Sequence, residues 1–141
     1  MSDLHGEYEK YMAMLEKINF QDDDTLYILG DVIDRGDNSV KILKDISMRF
    51  NVYPILGNHE VMALEVLKKL NVEITAENYD HHLDETSMQA IIEWQLNGGD
   101  KTMKEFQQLP VEERLDLLDY LEDFAYYETV DTENYSFILV H

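Results

Sequence analysis

Two short apolar runs, each cut off by a glycine, constrain this sequence more than any other feature: 25–29 stops at Gly30 and 52–56 stops at Gly57. Runs of this length predict buried strands that end in loops. Between them Val40, Ile42, Leu43 and Ile46 recur at helical spacing. Strand, loop, helix and strand in that order imply a crossover and hence a parallel pair, since antiparallel neighbours need only a hairpin. Parallel sheets carry their chemistry on loops at the carboxyl ends of the strands. The residues that follow Gly30 and Gly57 are therefore the first to read for function.

The rest of the chain continues the alternation. Tyr8, Tyr11, Met12, Leu15 and Ile18 predict an amphipathic helix over roughly 6–18, ended by the acidic turn at 21–24. Val61, Leu64, Leu67 and Leu70 predict a helix after Gly57, and Met88, Ile91, Ile92 and Gln95 predict another that stops at Gly98 and Gly99. Thr102 and Glu105 have the spacing of a capping box. Pro110 suits the first turn of a helix through Leu115, Leu118, Leu121 and Phe124. Two strand-like runs, 126–130 and 135–140, joined by a polar turn at 131–134, leave His141 at the end of a strand. There is no repeat, low-complexity segment or linker, so one α/β domain over 1–141 is expected.

Eleven Lys and Arg against thirty Asp and Glu give a net charge of −19. That field repels phosphate backbones and anionic lipid, which disfavours nucleic acid and membrane surfaces as partners. Small phosphorylated substrates are repelled too, unless bound cations take up part of the acidic charge. The chain has no cysteine, which removes disulfides, thiolate zinc sites and cysteine nucleophiles. No apolar run approaches the roughly 20 residues of a spanning helix, and MSDLHGEYEK lacks the basic-then-apolar pattern of a leader. A soluble, cytoplasmic protein is the expectation.

Four polar stretches share one placement, directly after an observed or expected strand run: SDLH at 2–5, GDVIDRGD at 30–37, GNHE at 57–60 and VH at 140–141. Singly each is weak, since DLH reads as a polar turn and Asn58 as a turn residue. If parallel strands carry them to one sheet edge, Asp3, His5, Asp31, Asn58 and His141 form a mixed cluster of carboxylate, imidazole and amide. That set suits Mn²⁺, Fe, Zn²⁺ or Co²⁺ better than Mg²⁺ or Ca²⁺. Five ligands exceed the needs of one open ion, so two divalent ions sharing Asp31 is the economical reading, with manganese as the leading candidate. Two ions about 3.5–4 Å apart acidify a bridging water and clamp a phosphoryl oxygen.

GDVIDRGD resembles a calcium loop, but Ile33, Arg35 and Ile42 stand where that loop needs its oxygen donors. Arg35 suits phosphate oxygens as a planar fork, although from position alone a surface ion pair is the simpler reading. His59 is placed to protonate a leaving alkoxide, with Asp34 holding its tautomer. Standing alone, GNHE fits a structural histidine as well. Trp94 and the methionines at 12, 14, 62, 88 and 103 read as core, and His81 and His82 as exposed loop.

In order, SDLHG, GDVIDRG, GNHE and VH resemble the signature of the calcineurin-like metallophosphoesterases, and more narrowly the bacterial phosphoprotein phosphatase family of serine/threonine phosphatases. WQLNGGDKT at 94–102 and the helix after Pro110 resemble the bacterial branch. The resemblance implies a β-sandwich flanked by helices, four layers α/β/β/α, with the motifs on loops at one edge. It implies that Asp3, His5 and Asp31 hold one metal ion, and Asp31, Asn58 and His141 a second. His59 would be the acid, Asp34 its orienter and Arg35 a phosphate contact. The implied activity is phosphomonoester hydrolysis by a two-metal-activated hydroxide, with phosphoserine or phosphothreonine protein as the leading substrate. The alternatives are symmetrical cleavage of dinucleoside polyphosphates and a catalytically incomplete metal-binding fragment. In this family a strand precedes SDLHG, and the chain continues beyond VH to a further histidine ligand and a phosphate-binding arginine. The expectation is thus an incomplete domain, one ligand short at the second ion. Its unfilled sheet position would invite self-association.

Overall fold

Leu26 and Ile28 are buried while Tyr27 and Leu29 are half-buried, the alternation that a strand imposes on a sheet with one face in the core. In the computed structural model, which describes residues 1–71 and 84–141, β1 (Leu26–Leu29) runs parallel to β2 (Val52–Ile55), with Leu26 opposite Val52 and Leu29 opposite Ile55. The expected crossover is α2 (Ser39–Ser47), which buries Val40, Ile42, Leu43 and Ile46. Met1 lies along the other side of β1: its amine donates to Tyr27 O at 2.9 Å, and Leu29 N donates to Met1 O at 2.7 Å. Beyond β2, Ala125 forms a parallel bridge with Ile55. Both edges of this small sheet are thus touched by backbone from distant parts of the chain.

Helices complete the core. α1 (Tyr8–Lys17) buries Tyr11 and Leu15, and α3 (Asn58–Leu70) buries Ala63, Val66 and Leu67. α4 (Glu85–Trp94), α5 (Asp100–Gln107) and α6 (Val111–Glu122) add Trp94, Met103, Phe106, Leu117, Leu118 and Leu121 to the same cluster. Of the methionines expected in the core, Met103 is buried and Met12 and Met62 pack against the cluster. Met14 and Met88 face solvent, because they fall on the outward faces of α1 and α4. His81 and His82 lie outside the described residues.

The helix after Met88 stops at the glycines as expected: the chain kinks between α4 and α5, with Gly98 in the left-handed region at φ 98°. One expectation about helix ends needs correction. Thr102 and Glu105 do not form a capping box, because Thr102 lies inside α5. Glu105 instead accepts the N–H groups of Ser39 and Val40 at 3.1 and 3.0 Å, capping α2 from another element. The unpaired N–H groups and positive end of α2 attract that carboxylate.

The chain closes with β3 (Glu128–Asp131) and β4 (Ser136–Leu139), an antiparallel hairpin with Glu128 opposite Leu139. None of its strand residues is buried. The architecture is an incomplete α/β fold, its two sheets each represented by two strands among the described residues. No described helix is long and apolar enough to cross a membrane.

Candidate metal centre

The loops that carry the four polar stretches are laid against one another by backbone hydrogen bonds. His5 N donates to Asp31 O and Gly6 N to Val32 O, both at 2.9 Å, and Gly36 N returns to His5 O at 2.9 Å. A side chain at Gly36 would put Cβ 2.3 Å from that same oxygen, so only glycine admits the approach. The price is paid in backbone conformation: of the six non-glycine residues with positive φ among the described residues, five are site candidates, Asp3, His5, Asp31, Asp34 and Arg35, at φ 43–73°. Strain of this kind concentrates where the surrounding structure over-determines a functional geometry. Here the surrounding constraint includes Glu60, fully buried at the start of α3. Its carboxylate accepts four backbone N–H groups, from Asp31 and Gly57 at 2.9 Å, Val32 at 2.8 Å and Ile33 at 3.2 Å.

Asp31 is the centre of the cluster. Its Oδ2 lies 3.7 Å from His5 Nε2 and 4.0 Å from His59 Nε2, and its Oδ1 lies 3.3 Å from His141 Nε2. Asn58 Oδ1 is 3.1 Å from the same His141 nitrogen. Asp3, more than half exposed, reaches within 3.9 Å of His5 Nε2. All five expected ligands therefore converge, and the two oxygens of Asp31 look toward two different sets of donors.

Each imidazole is anchored by Nδ1: His5 to Ile33 O at 3.1 Å, His141 to Leu29 O at 2.8 Å and His59 to Asp34 Oδ2 at 2.7 Å. An Nδ1–H committed outward leaves the Nε2 lone pair facing inward, the arrangement that fixes histidine as a metal ligand. The bond to Leu29 O raises the pKa of His141, and the carboxylates of Asp31, Asp3 and Glu60 add to this. The pKa of Asp3 is lowered, chiefly by its hydrogen bond with Ser2 and then by His5, His141 and Arg35. Inward-facing carboxylate, amide oxygen and imidazole form an acceptor-rich set that suits divalent cations.

Ligand atoms of His5, Asp31 and His59 all lie within 4.8 Å of one another, so His59, read from the sequence as the acid, also borders the first set. Arg35 reaches across the site: its Nη1 lies 2.8 Å from His5 Nε2 and its Nη2 3.1 Å from His59 Nε2. A guanidinium is the cation within reach of these two lone pairs, which explains the contact.

Sequence reasoning did not assign Glu60 and placed Trp94 only in the core. Trp94 is fully buried, and its indole N–H also donates to Asp34 Oδ2 at 2.7 Å. Thr102, read as a helix cap, donates to Asp34 Oδ1 at 2.7 Å. The signal available for Glu60 was its place three residues after Gly57, where a carboxylate reaches back to the helix start.

Comparison with known proteins places the chain in a family. The family model for calcineurin-like phosphoesterases matches residues 1–141. The symmetrical bis(5'-nucleosyl)-tetraphosphatase of Wigglesworthia glossinidia brevipalpis is 32% identical over 96 residues, 67% of this chain and 35% of the relative. Its counterpart in Buchnera aphidicola subsp. Schizaphis graminum is 35% identical over 97 residues, again 67% of this chain and 35% of the relative. This chain therefore matches about a third of the length of these curated relatives. A solved structure named for diadenosine tetraphosphatase aligns with a TM-score of 0.57 at 21% identity, covering 89% of this chain and 41% of that one, a likeness of fold. With the ordered motifs brought to one sheet edge and the family model matched from end to end, the chain belongs to the calcineurin-like phosphoesterase family.

Proposed function

We propose that this chain carries the hydrolytic centre of a metal-dependent phosphoesterase that cleaves dinucleoside tetraphosphates symmetrically. The observation that carries the reading is the position of Asp31, one carboxylate between Asp3 and His5 on one side and Asn58 and His141 on the other. The substrate class follows the tetraphosphatase relatives, and so favours the dinucleotide alternative over the phosphoprotein first expected from the motifs.

Asp3, His5 and Asp31 would hold one divalent ion and Asp31, Asn58 and His141 a second, with manganese the leading candidate for this nitrogen and oxygen set. When bound, such ions acidify water and neutralise phosphate charge. The chain's own residues do the rest. Asp34 accepts the hydrogen bond from His59 Nδ1–H, so a second proton taken up by the ring sits on Nε2, from which it can pass to the departing oxygen. Arg35, exposed and already reaching across His5 and His59, supplies a fork for phosphate oxygens once the imidazoles are otherwise engaged. A net charge of −19 makes the cations essential to attracting a polyanionic substrate.

The test is hydrolysis of diadenosine tetraphosphate by the Mn²⁺-loaded chain, with products separated by chromatography and ion stoichiometry measured by calorimetry. Two ADP per substrate, lost in Asp31→Asn and His59→Ala, is the expected result. Release of phosphate from a phosphoserine peptide in preference to the dinucleotide would move the substrate to phosphoprotein. Two bound ions without turnover of either would sink the claim that these residues suffice.

A further inference from the structure

Asp34 is fully buried, and three donors converge on its carboxylate. His59 Nδ1 and Trp94 Nε1 share Oδ2, each at 2.7 Å, while the Thr102 hydroxyl donates to Oδ1 at 2.7 Å. Only His59 belongs to the reaction proposed above. The other two donors arrive from residues 60 and 68 positions away in sequence. A buried indole needs one acceptor, and a nearby carbonyl would meet that need. Here the indole is instead aimed at the oxygen that also accepts from the imidazole.

The segment that delivers these donors has an irregular shape. Between Trp94 and Thr102 the chain kinks, with Gly98 in the left-handed region and Gly99 pressed against the indole ring. A Cβ at Gly99 would come within 2.3 Å of Trp94 Cε2. The kink also reaches Arg35, whose N–H donates to Gly98 O at 2.9 Å. The backbone N–H of Asp34 is held from the same side, 3.0 Å from both Thr102 Oγ1 and Ser39 Oγ. With both carboxylate oxygens and the amide engaged, the plane of the Asp34 carboxylate has no freedom to turn.

We propose that Trp94 and Thr102 are positioning residues that hold the Asp34 carboxylate where its Oδ2 accepts the hydrogen bond from His59 Nδ1–H, leaving Nε2 turned toward the phosphoester. The inference rests on the hydrolytic reading of the site and adds to it the segment that orients its acid.

Trp94 is the sole tryptophan, so a ¹⁵N spectrum of the 141-residue chain contains a single indole N–H signal. That proton is expected to exchange slowly with solvent and to shift in Asp34→Asn. In Trp94→Phe and Thr102→Val, long-range ¹H–¹⁵N spectra of the histidine rings should show His59 partly in the tautomer with its proton on Nε2, and Thr102→Ser should restore the wild-type pattern. In the Mn²⁺-loaded chain the same two variants should lower kcat about tenfold or more at unchanged KM, the scale of losing an orienting hydrogen bond. The loss should be larger for phenyl phosphate than for p-nitrophenyl phosphate, because the poorer leaving group depends more on the acid. A role in packing only would lower both substrates equally and leave the tautomer unchanged, and that result overturns the proposal. A freely exchanging indole proton overturns it as well. A wild-type chain that hydrolyses neither these compounds nor diadenosine tetraphosphate would sink the function proposed above, while the indole and tautomer signals would still decide this inference.

Discussion

Glu60 shows how one buried side chain can organise a set of candidate ligands that it does not join. Burial pushes its carboxyl pKa up, and the four N–H donors from Asp31, Ile33, Val32 and Gly57 pull the other way. Three of those donors lie on the strained loop that presents Asp31, so the carboxylate offsets the strain of that loop. Glu60→Gln replaces one acceptor oxygen with an amide that can only donate, leaving two buried N–H groups facing it. At about 1–3 kcal/mol for each unsatisfied buried group, the variant should lose roughly 2–6 kcal/mol in urea unfolding and bind Mn²⁺ more weakly in calorimetry. Unchanged stability and metal affinity would show that solvent or a neighbouring group can replace the carboxylate. All eight site candidates could be named from residue type and position, because ligand chemistry is a property of the residue. The left-handed backbone at Asp3, His5, Asp31, Asp34 and Arg35 could not, because none of these residue types requires it.

Among the elements, the crossover was legible because a helical period between two short apolar runs is a local pattern. The capping of α2 was not. Thr102 and Glu105 have the spacing for a reciprocal cap, yet both are spent on other elements, Thr102 on Asp34 and Glu105 on the start of α2. Burial raises the Glu105 pKa, against the opposing pull of the Val40 and Ser39 N–H groups. A carboxyl raised on folding contributes stability that is fully present below its unfolded value and is lost as pH rises through the folded one. Wild type should therefore gain stability relative to Glu105→Gln as pH falls from about 7 toward the unfolded value of 4.5. Urea titrations of the two proteins across that window measure the difference, and a wild-type advantage that shrinks with acid would contradict it.

For the whole molecule, the opposing features are charge and the exposed hairpin. Phe137, Ile138 and Val140 face solvent, with Ile138 72% exposed, and among the described residues β3 and β4 pair only with each other. Unpaired apolar strand edges invite a second copy, while a net charge of −19 opposes its approach. Screening removes the opposition, so the mass measured by light scattering should rise when NaCl goes from about 20 to about 300 mM. Ile138→Lys should bring it back to the monomer value. A wild-type monomer at both salt concentrations would show that the hairpin does not associate.

Apolar periodicity and glycine punctuation were enough to specify the parallel pair, its crossover helix and the loops that would carry the chemistry, because those signals act over a few residues. The partners of the polar side chains belong to the folded molecule. Asp34 meets His59 across 25 residues and Trp94 across 60, and His141 meets Leu29 O across 112. No local period encodes a hydrogen bond of that span. Packing decides which buried donor finds which acceptor, and it brings the indole of Trp94 and the hydroxyl of Thr102, a residue inside α5, onto the carboxylate of Asp34.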